Sequence, residues 1–287
     1  MGAFSTYALS DLIAFSSDIY LRLFTRLNAE LTPLVFASWI VGFVSCLLVL
    51  RASLVSRRSA LALLGMAWLI CAWAFHWRFY RELLWAADWF AAAFALQGAL
   101  LMLLAFSHTA ECREAQIPRA WRWPGLALCA LGLIGIPALQ LGLEDGRSAG
   151  ALAWFGSAPD PTTVVTLGVL LLLSRGARWQ RWIAWPIPLL WCLIASLTQK
   201  GLGLELWPLM VSLAVVALVF EFRARRGFRR LPETLMPDDA GLKVAFKQGG
   251  REPSALHDRQ RDTDGGRQDK PDGMEVDRNR RKPRPGS

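Results

Sequence analysis

The stretch Ala74-Phe-His-Trp-Arg-Phe-Tyr-Arg-Glu-Leu-Leu-Trp-Ala-Ala-Asp-Trp-Phe-Ala-Ala-Ala-Phe-Ala-Leu-Gln-Gly98 decides how the chain is read. It closes one long apolar run and opens another, with Arg78, Arg81 and Glu82 between them. It also crowds His76, Asp88 and Gln97 among aromatic rings. On either side the chain reads as repeated membrane crossings. A soluble domain of 287 residues would carry more than 19% charged residues and fewer unbroken apolar runs than a chain that is 54% hydrophobic. The 14 Trp fit the same setting, because indole rings prefer the headgroup level of a bilayer.

Working outward, the first crossing is Leu31 to Leu50, near the ~20 residues that a bilayer core requires. The second runs from Ser59 to about Trp77, and the third from about Leu83 to Phe106. The fourth is Trp123 to Gly142, with a kink expected at Pro137. The fifth opens at Asp160-Pro161-Thr162-Thr163 and reaches Ser174. The sixth spans Trp182 to Thr198, where Pro186 and Pro188 should leave the inner end bent or irregular. The seventh is Leu204 to Phe220. Ahead of them, Leu12, Phe15, Ile19, Leu23 and Leu27 recur at spacings of three and four. That pattern predicts an amphipathic helix on the membrane surface, with Ser10 and Asp11 able to cap it.

Orientation follows from the basic residues in the short loops. The loops after crossings one, three, five and seven carry three, three, three and at least five. The N-terminal segment and the loops after two, four and six carry two, two, one and one. The expected fold class is therefore an all-α integral membrane bundle of about seven transmembrane helices, N-terminus outside and C-terminus cytoplasmic. The expected division is 1–30 as the amphipathic segment, 31–220 as the membrane domain and 221–287 as a charged tail.

From Glu221 onward there are 17 basic and 12 acidic residues, interleaved and nearly free of large apolar side chains beyond Ala240. Such a segment cannot bury a core and is expected to be disordered. Its basic groups suit anionic lipid headgroups or a cytoplasmic protein partner. The interleaved acids and the lack of any aromatic after Phe246 argue against nucleic acid.

Catalytic patterns are missing: the chain has no GxSxG, HExxH or Walker loop, and only three His. Cys46, Cys71, Cys129 and Cys192 lie in apolar runs and Cys112 in a polar loop, with no CxxC spacing. No enzyme activity, metal or cofactor is expected.

Polar residues within membrane segments are costly, so they are the candidates for function. His76, Asp88, Asp160, Thr162, Thr163, Gln199, Lys200 and Glu205 all fall at outer helix ends, which suggests an outward-facing polar vestibule. Asp160 and Glu205, at helix starts, also read as caps. His76 and Asp88 could form a pair across the hairpin that relays a proton or holds a cation. They could equally belong to an interfacial belt with Trp73, Trp77, Tyr80, Trp85 and Trp89. Gln97 lies nine residues beyond Asp88, on the opposite face at ~100° per residue, and suits an interhelical hydrogen bond.

The fifth crossing, Pro161 to Ser174, is about 21 Å long at 1.5 Å per residue, short of a ~30 Å core. Either it extends past Arg175, or Ala151 to Pro159 dips into the protein ahead of it. Thr162 and Thr166, one turn apart, would then line a site of the kind that short, proline-opened segments build in transporters.

Two stretches resemble a bacterial family of multi-pass membrane proteins known as domain of unknown function six-zero-six-four. The first is Phe75-His76-Trp77 with Phe79, then Phe90, Phe94 and Leu96-Gln97-Gly98. The second is Trp154-Phe155-Gly156, then Pro159-Asp160-Pro161-Thr162-Thr163 and Thr166-Leu167-Gly168, with weaker echoes at Ile136-Pro137 and Ile187-Pro188-Leu189-Leu190-Trp191. The resemblance covers roughly Leu31 to Phe220. It implies an inner-membrane protein of unassigned activity, sometimes given permease-like names. Where that family tends to have Pro-Cys-Pro-Thr-Thr, this chain carries Asp160, and a family histidine is missing from 144–153. The expected function is a permease-like protein for a small solute or ion with an outward site. The alternative is a membrane scaffold or sensor acting through its tail.

Overall fold

The computed structural model describes residues 14–51, 53–107, 122–144, 147–173 and 183–228. Expectations for Ser10, Asp11, His108, Cys112, the basic loops 108–121 and 174–182, and the tail beyond residue 228 lie outside them. The chain divides into two units, Met1–Leu231 and Pro232–Ser287, and all the described residues belong to the first.

The regular elements among these residues are all helical: α1 Ser17–Glu30, α2 Thr32–Leu50, α3 Leu54–Glu82, α4 Ala87–Phe106, α5 Trp123–Leu143, α6 Pro159–Leu172, α7 Pro186–Gly201 and α8 Trp207–Phe228. Four of them, α2, α3, α4 and α5, are long and apolar enough to cross a membrane. The second crossing is longer at both ends than its apolar run, because Ser53 caps it by accepting from the Ser56 N–H at 3.0 Å. At its far end α3 widens into π-type turns over Ala72–Phe79 before a 3₁₀ turn at Tyr80–Glu82. The inner end of the sixth segment is irregular, as Pro186 and Pro188 suggested: a bend at Trp185 separates Ile183 and Ala184 from α7, whose first residue is Pro186, where a missing N–H costs nothing.

α1 turns one face into the protein. Its buried face is Tyr20, Leu23, Phe24 and Leu27, while Ile19 is exposed. Phe24 packs on Phe75 and Tyr20 on Tyr80, with ring centroids 5.3 and 6.2 Å apart. Arg26 bridges Glu30 and Glu82, and Arg78 returns to Glu30 at 3.0 Å. The amphipathic face is therefore spent on the end of α3.

At the centre is α6, whose every residue from Pro159 to Leu172 is buried. Helices α2, α3, α5, α7 and α8 all pack against it. Close approach comes from glycines. A Cβ on Gly168 would stand 2.7 Å from the Gly125 carbonyl oxygen of α5, and one on Gly65 of α3 would stand 2.8 Å from that of Gly98 on α4.

Pro137 leaves its mark on α5 as π-type turns over Leu131–Gly135 just ahead of it. A proline has no N–H for the carbonyl four residues back, here Leu133. The Trp39 indole N–H of α2 donates to that carbonyl at 3.0 Å. Trp39→Phe is thus expected to cost about 1–2 kcal/mol. The cost should shrink in a Pro137→Ala background, where the main chain regains its own donor. Thermal midpoints of the four proteins in detergent test this as a double-mutant cycle.

Candidate functional site

Ahead of α6, a 3₁₀ turn at Ala149–Ala151 leads into non-helical backbone, and the stretch is buried: Ala151, Leu152, Ala153, Phe155, Ser157 and Ala158 are each under one-tenth exposed. Of the two expectations for the short fifth segment, the structure shows buried backbone leading into it. Irregular backbone inside a membrane protein must find its hydrogen bonds within the protein, and this segment does. Arg147 donates to the Ala151 carbonyl at 3.0 Å, and Asn28 of α1 donates to those of Gly150 and Leu152 at 2.8 and 2.9 Å. Gln140 Oε1 accepts from the Ala153 N–H at 2.9 Å. Ala158 N–H closes a turn onto the Trp154 carbonyl at 2.9 Å. Gly156, with φ of 80°, donates its N–H to Thr162 Oγ1 at 2.7 Å.

Arg147 and Glu144 form a buried ion pair under this segment, their side chains 2% and 3% exposed. Burial pushes the Glu144 carboxyl up and the Arg147 guanidinium down, and each opposes the other's shift by its charge. Tyr20 of α1 lies over the same region. Its phenol is pushed up by burial and then by the charge of Asp160.

Asp160 is the focal group. It is 5% exposed and sits in the first turn of α6, but it caps nothing. This corrects the reading of Asp160 as a cap. Its carboxylate instead accepts two hydrogen bonds from α7: from the Trp191 indole at 2.9 Å on Oδ1, and from Gln199 Nε2 at 2.7 Å on Oδ2. Among the described residues no cationic side chain is in ion-pair contact with it. Both donors are neutral, so they stabilise the anion by dipoles alone, together with the positive end of α6.

Thr162 and Thr166 do not line an open site. Each donates to a main-chain carbonyl four residues back, at 2.6 and 2.7 Å, and Thr166 accepts from the Trp68 indole at 2.8 Å. Thr163, one turn beyond Asp160, is fully buried, and its hydroxyl has no hydrogen-bond partner among the described residues.

His76 and Asp88 do not meet. Asp88 is exposed and lies 3.7 Å from Arg81, whereas His76 is fully buried. The wide turns of α3 place Ala74, Phe75, His76 and Phe79 inside and Trp73, Trp77 and Arg78 outside, so the two tryptophans do not share the histidine's face. His76 is enclosed by Phe94, Phe75, Trp191 and Phe90, at centroid distances of 4.4, 5.0, 5.1 and 6.0 Å. Neither of its ring nitrogens has a hydrogen-bond partner among the described residues. Gln97 is fully buried and donates from Nε2 to the Ala184 carbonyl at 3.0 Å, joining α4 to the segment before α7.

The structure thus gathers Asp160, Thr162, Thr163 and Thr166 on one buried helix and sets His76 beside Trp191, the ring whose indole N–H holds Asp160. Asp88 and Glu205 are left at the surface. Trp191 is the contact that sequence reasoning passed over. It lay in the weak Ile187–Trp191 echo, and an apolar run offers no sign that one indole in it meets a carboxylate.

The profile of a family described as "Family of unknown function (DUF6064)" matches residues 17–231. The chain belongs to that family. The DUF6064 match takes in α1 through α8, the buried segment before α6 and every member of the Asp160 cluster. No curated protein and no solved structure matches the chain.

Proposed function

We propose that this is a seven-helix protein of the bacterial cytoplasmic membrane, N-terminus outside and C-terminus inside, that acts as a permease for a small solute or ion at the buried cluster around Asp160. The carrying observation is a carboxylate at the start of a fully buried fourteen-residue helix, reached through non-helical backbone and held by Trp191 and Gln199. Intramembrane ionisable groups mark substrate and ion pathways. Discontinuous helices that end inside the protein are where transporters put their sites. The alternation of basic residues between loops supports the orientation.

Two measurements test this reading. Single cysteines placed in the loops between α1 and α2, between α3 and α4, and after α8, in a background lacking the native thiols, should label from outside, outside and inside respectively. Proteoliposomes holding the full chain should accumulate or exchange a solute from a panel of radiolabelled ions, amino acids and organic acids. Asp160→Asn should abolish that flux at unchanged abundance. Flux that survives the substitution would remove Asp160 from the pathway.

A further inference from the structure

The permease reading leaves open what balances Asp160. A buried carboxylate without an opposite charge in contact is expensive unless a proton or a metal ion joins it. The titratable or charged groups that feel its charge are Tyr20 on α1, Cys71 and Tyr80 on α3, Glu144 and Arg147 after α5, and Cys192 on α7; α2 and α8 contribute none among the described residues. Arg147 is the cation among them, and Glu144 already occupies it. The remaining groups are neutral acids whose ionisation would add negative charge.

Two oxygens, one on the side chain that holds the carboxylate and one a helical turn from it, are unused among the described residues. Gln199 donates through Nε2 to Asp160 while its Oε1 has no hydrogen-bond partner, and the Thr163 hydroxyl, one turn along α6, has none either. Both are buried. A buried amide whose acceptor is idle beside a carboxylate has a second arrangement available. If the amide turns over, Oε1 faces Asp160 and can accept from a protonated carboxyl, or join the carboxylate in coordinating a hard monovalent ion. A single carboxylate with neutral oxygens matches one positive charge. A divalent site would ordinarily draw on more oxygen ligands, carboxylates among them.

We propose that Asp160, Gln199 and Thr163 form a binding site for one monovalent cation, a proton or an alkali metal ion, with the Gln199 amide reversing as the site fills. This rests on the permease reading, for which it names the charge that the site handles. The uptake balances without any redox partner: one positive charge enters and the carboxylate is neutralised, while the amide gives up its donated hydrogen bond and its oxygen either accepts from the protonated carboxyl or coordinates the metal ion.

The test uses the purified full chain in detergent. Its thermal midpoint is followed in choline chloride over a pH series, and in lithium, sodium and potassium chloride at matched ionic strength. An alkali ion that fills the site should raise the midpoint by about 5 °C or more at about a hundredfold excess over its dissociation constant, with acid competing against it. If the proton alone fills it, the midpoint rises with acid in choline and the salts add nothing. In either case Asp160→Asn should remove the dependence. Gln199→Leu should weaken it, because the idle oxygen is gone. Should the variants fail to fold, infrared difference spectra of the wild type between sodium and choline, and between acid and alkaline buffer, still report the carboxyl band of a buried acid. Equal midpoints in every salt and pH, shared by wild type and Asp160→Asn, would overturn the proposal, as would spectra without a buried-carboxyl change. A cation-dependent midpoint without solute flux would leave the site standing and remove the permease. Flux that ignores cations and pH would do the reverse.

Discussion

Asp160→Leu is expected to cost about 3–5 kcal/mol and to deplete the protein from the membrane, whereas Asp160→Asn should cost about 1 kcal/mol. The side chains are close in size, so the difference comes from what they leave behind. Leucine strands two donors in a buried position, the Trp191 indole N–H and the Gln199 amide. Asparagine keeps one oxygen for Trp191, and its own amide can donate to Gln199 Oε1 once that side chain turns over. Folding is read from the abundance of a fluorescent fusion in membranes and from the thermal midpoint in detergent. Each kcal/mol moves the midpoint of a unit of this size by about 2–4 °C. Two variants that fall by the same amount would mean that Asp160 contributes shape and not hydrogen bonding.

This result would also separate what could be read in the residues from what could not. Long apolar runs fix helices by composition, so α2, α4 and α5 lie close to their expected bounds. The shortness of the fifth segment was visible for the same reason, and it led to the buried backbone before α6. The partners of Asp160 were not visible. A carboxylate before a proline looks alike whether it caps a helix in water or sits inside a bundle, and only the packing of α7 against α6 distinguishes the two.

His76 illustrates a second limit. Its nearness to Asp88 along the hairpin suggested a pair, but the i→i+5 turns of α3 alter which residues face inward. They carry the imidazole in among Phe94, Phe90 and Trp191. No hydrophobic pattern signals such turns, because the apolar residues on both sides are satisfied by lipid or by protein. Gln97 was easier. One strongly polar side chain in the middle of an apolar helix needs an internal partner, and it has one in the Ala184 carbonyl.

Gly156→Ala is the other substitution expected to have a large effect, about 3 kcal/mol or more. Two costs coincide at this position. The backbone has φ of 80°, which an L side chain adopts with strain, and the new methyl would lie 2.5 Å from the Cβ of Ser38 on α2. The chain carries its own control. Gly203 has φ of 72°, and an added Cβ there would meet no described atom within 4 Å, so Gly203→Ala should show the backbone cost by itself, about 1 kcal/mol. Ser38→Gly should then rescue Gly156→Ala in part. It removes the crowding atom and gives up no hydrogen bond, since the Ser38 hydroxyl makes none among the described residues; its own cost is that of a helix-interior glycine, about 1 kcal/mol. In the double variant the alanine should cost about as much as it does at Gly203. If Ser38→Gly gives no relief, the loss must come from the turn itself: the Gly156 N–H would have left Thr162, and the buried segment that leads to Asp160 would have lost its register on α6.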